Sequence, residues 1–150
     1  MMKTSRKALR PLWICPRCGA KLVTRNMSHS CGTFSLSDLF ARSEPRVRKI
    51  FRKLARMVRA CGPVIITPQK TRVVFQVRVR FLACTPRKSH LLCTFEFTRR
   101  KNNRRFRSVT TYARLWHGHE VRFDSEDQLD REVAAWIRES YALGEQRHLR

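Results

Sequence analysis

From Gln69 to Phe81 the chain alternates, with Thr71, Val73, Phe75, Val77, Val79 and Phe81 on one side and Lys70, Arg72, Val74, Gln76, Arg78 and Arg80 on the other. A period of two predicts one long β-strand with a dry face and a cationic face. After a turn over Cys84–Ser89, Leu91, Cys93, Phe95 and Phe97 repeat the pattern and predict the next strand. Val64–Ile66, Phe106–Tyr112 and Glu120–Phe123 complete an expected five-stranded sheet. Two amphipathic helices flank it. Val47, Ile50, Phe51, Leu54, Val58 and Cys61 recur at helical spacing behind Ser43-Glu44-Pro45, and Gly62-Pro63 ends the run. Leu129, Val133, Trp136, Ile137 and Tyr141 form the stripe of a final helix, which Ser125-Glu126-Asp127-Gln128 opens as a capping box and Gly144 follows. Ser37 is the expected cap of a short helical turn over Asp38–Arg42.

This order predicts an α+β fold, a helix, a mainly antiparallel sheet covered on one side and a helix, behind a small N-terminal module. The expected division is a basic leader and metal knuckle over residues 1–36 and the α+β domain over 37–150. With 150 residues and 42% hydrophobic positions, the chain has room for one ordinary domain and a module, and enough apolar side chains for a core.

Charge then changes the picture. Lys and Arg number 33 against 11 acids, a net +22. Residues 124–150 hold seven acids and four bases, a balance of −3, so residues 1–123 carry +25. Such a field draws polyanions, and nucleic acid, DNA or RNA, is the partner it predicts. Three surfaces contribute. The first helix carries Arg48, Arg52, Arg56 and Arg59 with no compensating acid, where like charges four apart destabilise a helix unless an anion screens them. The wet face of the central strand presents Lys70, Arg72, Arg78 and Arg80, which a merely solvated sheet face would also explain. Arg99, Arg100, Lys101, Arg104, Arg105 and Arg107 are expected on a projecting hairpin tip.

No stretch approaches the roughly 18 apolar residues of a membrane span, and the opening to Pro11 leads into too short an apolar run for a secretory signal. A reducing cytoplasm is expected, where six cysteines serve as metal ligands or buried thiols. Four positions carry the metal reading: Cys15, Cys18, His29 and Cys31, spaced Cys-x2-Cys-x10-His-x-Cys. Pro16 and Gly19 favour a tight turn that aims two thiolates at one ion, and residues two apart on an extended segment face the same way. Three sulfurs and an imidazole suit structural Zn²⁺ with no open coordination position, Trp13, Leu22, Val23 and Phe34 being the expected small core around it. Free thiols or a redox pair are the competing reading. Cys61, Cys84 and Cys93 have no ligand spacing and read as small core hydrophobes.

Cys-Pro-x-Cys-Gly, His29-Ser30-Cys31-Gly32, Gly62-Pro63-Val64, Pro68-Gln69-Lys70-Thr71-Arg72, Arg78-Val79-Arg80-Phe81 and Trp136-Ile137-Arg138-Glu139-Ser140-Tyr141-x-x-Gly together resemble bacterial proteins of the domain-of-unknown-function family 5655 over nearly the whole chain. The resemblance implies a compact α+β domain behind a metal knuckle and no established activity. An enzyme would have to be built on His117-Gly118-His119-Glu120, as a metal-dependent phosphodiester-processing site. Register with Val121 and Phe123 puts His119 on an apolar strand face instead, and only four acids precede residue 124, few for a two-metal nuclease. The remaining alternative to nucleic-acid binding is an adaptor for an acidic protein.

Overall fold

The structure, a computed structural model, describes residues 8–25, 27, 29 and 31–150. The basic leader expected at the start lies largely outside them, over residues 1–7. Two short paired strands, β1 (Trp13–Ile14) and β2 (Lys21–Leu22), frame the cysteine turn. Then come α1 (Leu36–Phe40), α2 (Pro45–Arg59), β3 (Ile65–Pro68), β4 (Val73–Gln76), β5 (Arg80–Pro86), β6 (Leu91–Phe97), β7 (Ser108–Ala113), β8 (Trp116–Phe123) and α3 (Arg131–Gly144). Strands β3 to β8 form one antiparallel sheet of six in the order β3-β4-β5-β6-β8-β7.

The sixth strand arises because Gln69–Phe81 is not one strand. The chain reverses over residues 77–79, and the register shifts so that Phe75 faces Leu82 while Gln76 faces Arg80. Phe81 is the extra residue, and it remains fully buried. The reversal is held from outside, since the Gly144 carbonyl at the end of α3 accepts both Arg78 N–H (2.9 Å) and Val79 N–H (3.1 Å). The carbonyl would serve at any residue; what requires glycine here is space, since a Cβ would lie 2.5 Å from Phe81 Cδ1. The Phe81 ring is enclosed and cannot move aside, so Gly144→Ala should lower stability by about 2–3 kcal/mol, read from denaturant unfolding.

Both long helices cover one face of the sheet. Val47, Ile50, Phe51, Leu54 and Val58 of α2 and Val133, Trp136, Ile137 and Tyr141 of α3 are buried against Phe75, Phe81, Phe95, Phe97 and Phe123. Rings lock the layers: Phe51 on Phe75, Phe81 on Tyr141, Phe95 on Trp136. Cys84 and Cys93 face each other in this core, fully buried. Caps differ from the expected ones by a few residues. Ser35, not Ser37, caps α1 by accepting from Asp38 N–H. The Ser125 box closes a separate 3-10 turn over Glu126–Gln128, and α3 begins after Asp130, whose carboxylate accepts from Val133 N–H. Gly144 is the last residue of α3, not the one beyond it.

Candidate metal centre and cationic surfaces

Around Cys15 the chain turns back on itself: Gly19 N–H donates to Cys15 O, and Cys15 N–H to Ala20 O, both at 2.8 Å. Gly19 takes a φ of +75°, the left-handed value that makes glycine the natural residue at this corner. The donor atoms of Cys15, Cys18, His29 and Cys31 all lie within 4.8 Å of one another. Cys18 Sγ is 3.3 Å from His29 Nε2, and Cys15 Sγ is 4.0 Å from Cys31 Sγ. A tetrahedron with metal–sulfur bonds of ~2.3 Å needs sulfurs ~3.8 Å apart, so small shifts of these side chains would let the group hold a metal ion. His29 Nδ1–H donates to Met27 O at 2.8 Å, which leaves Nε2 free to ligate. Amide N–H groups of Cys18 and Arg17 pull the Cys15 thiol down to about 6, whereas desolvation and the neighbouring thiols push Cys31 up to about 11. Three thiolates at this spacing repel unless a cation sits among them. Of the expected small core, Leu22 is buried, Trp13 and Phe34 are half-buried, and Val23 is exposed.

The sheet face away from the helices is not open to solvent as the alternation suggested. The metal module lies over it. Gln76 Nε2 donates to Lys21 O, and Arg78 donates to Arg10 O at 2.6 Å. Val74 points to this outer face, yet is only 2% exposed. Between module and sheet lies a cavity of about 530 Å³ whose walls include Leu22, Met27, Arg72, Arg80, Glu96 and Trp116. Of the four strand cations, Lys70 is solvent-facing, Arg72 is exposed and donates from Nε to Gln69 Oε1, Arg80 is half-buried in the cavity, and Arg78 is tied to Gln146 and Arg10.

The six cations of residues 99–107 do not crown a hairpin, because β6 and β7 are not neighbours: β8 lies between them. The segment crosses the sheet end and folds back. Phe106 packs on Phe97, His119 and Trp136, Lys101 pairs with Glu139, and Arg105 reaches Asp130, Glu132 and the Gln128 carbonyl over the Trp136 ring. Arg100 bonds Thr111 and Arg107 lies 3.9 Å from Glu120, while Arg99 and Arg104 stay exposed. On α2, Arg48 rests on the Phe40 ring, and Arg52, Arg56 and Arg59 are exposed. Since α2 covers the inner sheet face, this stripe and the cavity cations lie on opposite sides of the sheet; one straight phosphate backbone cannot touch both.

His117 and His119 face the core beside Val121 and Phe123. Lys101 N–H donates to His119 Nε2 (2.8 Å), and His119 Nδ1–H donates to His117 O (3.0 Å); burial lowers its pKa, so the ring is neutral with this tautomer fixed. His117 Nε2–H donates to Arg114 O, and its Nδ1 accepts from Thr111. All four ring nitrogens are engaged with protein. The group that the sequence reading missed is Glu96, half-buried with an unpartnered Oε2. Alternation alone marks it only as the polar member of β6.

Fold and site together define an α+β domain, helices on one face of an antiparallel sheet, carrying a Cys₃His module on the other. The chain belongs to the family described as domain of unknown function DUF5655, which matches residues 36–144. That match begins beyond Cys31, so the four candidate metal ligands lie outside it, and the likeness covers less of the chain than the motifs suggested. No curated protein and no solved structure matches the chain. Among the described residues, no helix is long and apolar enough to cross a membrane.

Proposed function

We propose that the protein is a zinc-containing nucleic-acid-binding protein that holds the phosphate backbone without reading sequence. The observation that carries this reading is the α2 stripe: Arg52, Arg56 and Arg59 stand exposed on one side of the helix, and no ion pair among the described residues involves them. Three guanidinium forks at this spacing follow a run of phosphates, which they engage in two-pronged hydrogen bonds that a lysine cannot make. Cations elsewhere add to the field, but Lys101 and Arg105 are spent on Glu139, Asp130 and Glu132. Zinc follows from the donor set, since three thiolates with one imidazole and no carboxylate favour it over magnesium or calcium.

Binding to generic duplex DNA should weaken with salt. If about five phosphates are neutralised, log affinity falls against log salt with a slope of roughly −4 to −5. Arg52→Ala, Arg56→Ala and Arg59→Ala together should make that slope shallower by about 2.7, at ~0.9 for each lost contact. Dissociation constants weaker than about 10⁻⁴ M for every DNA and RNA at physiological salt would overturn the reading and favour an acidic protein partner.

A further inference from the structure

Deeper than the helix stripe, the cavity under the metal module combines three recognition elements. The first is cationic. Arg72 and Arg80 both line it, and burial together with the Arg72 charge lowers the Arg80 pKa. Among the described residues Arg80 has no ion pair and no side-chain hydrogen bond, so a half-buried guanidinium faces the space without an anion. The second element is flat and apolar. Tyr112 lies across the backbone of Gly118, where any Cβ would come within 2.9 Å of its ring, and Trp116 lines the same cavity. Gly118 thus makes room for a ring laid flat on the sheet. The third is Glu96, whose Oε2 is unpartnered, closed off from solvent, and 3.3 Å from the point that a Cβ on Gly118 would occupy, so a ligand reaches it only when a neighbouring side chain shifts. Burial pushes this carboxyl up to about 7, against the opposing pull of the Trp116 indole and Arg72, so near neutrality it can donate as well as accept a hydrogen bond.

We infer that this cavity binds a single phosphorylated nucleoside, its base edge bonded to Glu96 beside Tyr112 and Trp116 and its phosphate held by Arg72 and Arg80. The volume of about 530 Å³ is within the range that encloses a ligand of this size. A carboxylic acid that both donates and accepts matches the paired donor and acceptor on a base edge, and aromatic faces suit any base. The unit could arrive as a free nucleotide or as an unpaired, 5′-phosphorylated strand end. This rests on the nucleic-acid reading above, but uses the opposite side of the sheet from the α2 stripe.

The test uses the metal-loaded full chain. Its tryptophan fluorescence is titrated with the four nucleoside 5′-monophosphates, with inorganic phosphate, and with 5′-phosphorylated single-stranded tetranucleotides. At least one monophosphate should quench saturably with Kd below about 1 mM, and inorganic phosphate should bind at least about 10-fold more weakly. Trp116→Phe should remove most of the signal. Glu96→Ala, which leaves a base edge without its partner, should weaken the monophosphate about 10-fold or more while duplex affinity and its salt slope stay unchanged. A tetranucleotide about 10-fold tighter than its own monophosphate identifies the strand end as the source; equal affinity identifies the free nucleotide. No saturation by about 10 mM of any nucleotide, or inorganic phosphate binding as tightly, overturns the inference even with duplex binding intact. Nucleotide binding with duplex binding absent overturns the α2 reading instead.

Discussion

Removing the metal should release residues 12–33 and leave the domain from residue 37 folded. Before residue 36, Cys15 and Leu22 are the only buried hydrophobic residues among those described, and the two strands are two residues each. So small an apolar area cannot offset the entropy of ordering some twenty residues, and on the zinc reading proposed above a bound ion would supply the difference, on the order of 10 kcal/mol. The α+β domain has no such need, because its helices bury a continuous aromatic layer on the sheet. Cys15→Ser should therefore abolish stoichiometric metal in elemental analysis and open Arg17, Lys21 and Arg25 to trypsin, while a fragment from about residue 37 resists digestion. Cys61→Ser, at a half-buried cysteine far from the cluster in sequence, should keep one metal per chain. Protein purified without chelator that holds no metal would end the idea.

What the sequence exposed and what it hid divide along the range of the forces involved. The cysteine spacing, the α2 stripe and the inward alternation of β6 are local patterns, and each is in place in the fold. The reversal at residues 77–79 is not local. It contains no glycine, proline or asparagine to announce a turn, and it is fixed by a carbonyl 65 or more residues away at Gly144. A three-residue turn also keeps Val73, Phe75 and Phe81 buried, so the burial pattern of a straight strand survives the bend. The loop over residues 99–107 misled for a related reason: six cations suggest projection, but Phe106 among them anchors the segment in the core. Covering of the outer face by the metal module depends on contacts such as Gln76 with Lys21, which no periodicity encodes.

Glu96→Gln should stabilise the protein at alkaline pH and have little effect in acid. The carboxyl titrates at about 7 in the fold against 4.5 for an unburied glutamate, burial being the larger cause and Trp116 and Arg72 only partial relief. Because the folded value is the higher one, the favourable contribution of the protonated group is complete below about pH 4.5 and is lost as pH rises through 7. At pH 8 the wild type therefore holds a poorly solvated carboxylate that glutamine lacks. At 1.36 kcal/mol per pH unit the difference reaches at most about 3 kcal/mol, or a melting-temperature gap of about 10 °C for a chain of this size. Comparing wild type with variant at each pH cancels the shared titration of the cysteines and His29. A gap that is the same at pH 5 and pH 8 would show that Glu96 is not the titrating group. The metal module roofs the cavity that desolvates this carboxyl, so the two predictions are coupled. In a Cys15→Ser background water should reach Glu96, its pKa should fall towards the ordinary value, and the alkaline gap should shrink. A gap that persists undiminished without the metal would mean that the sheet, not the module, keeps water from Glu96.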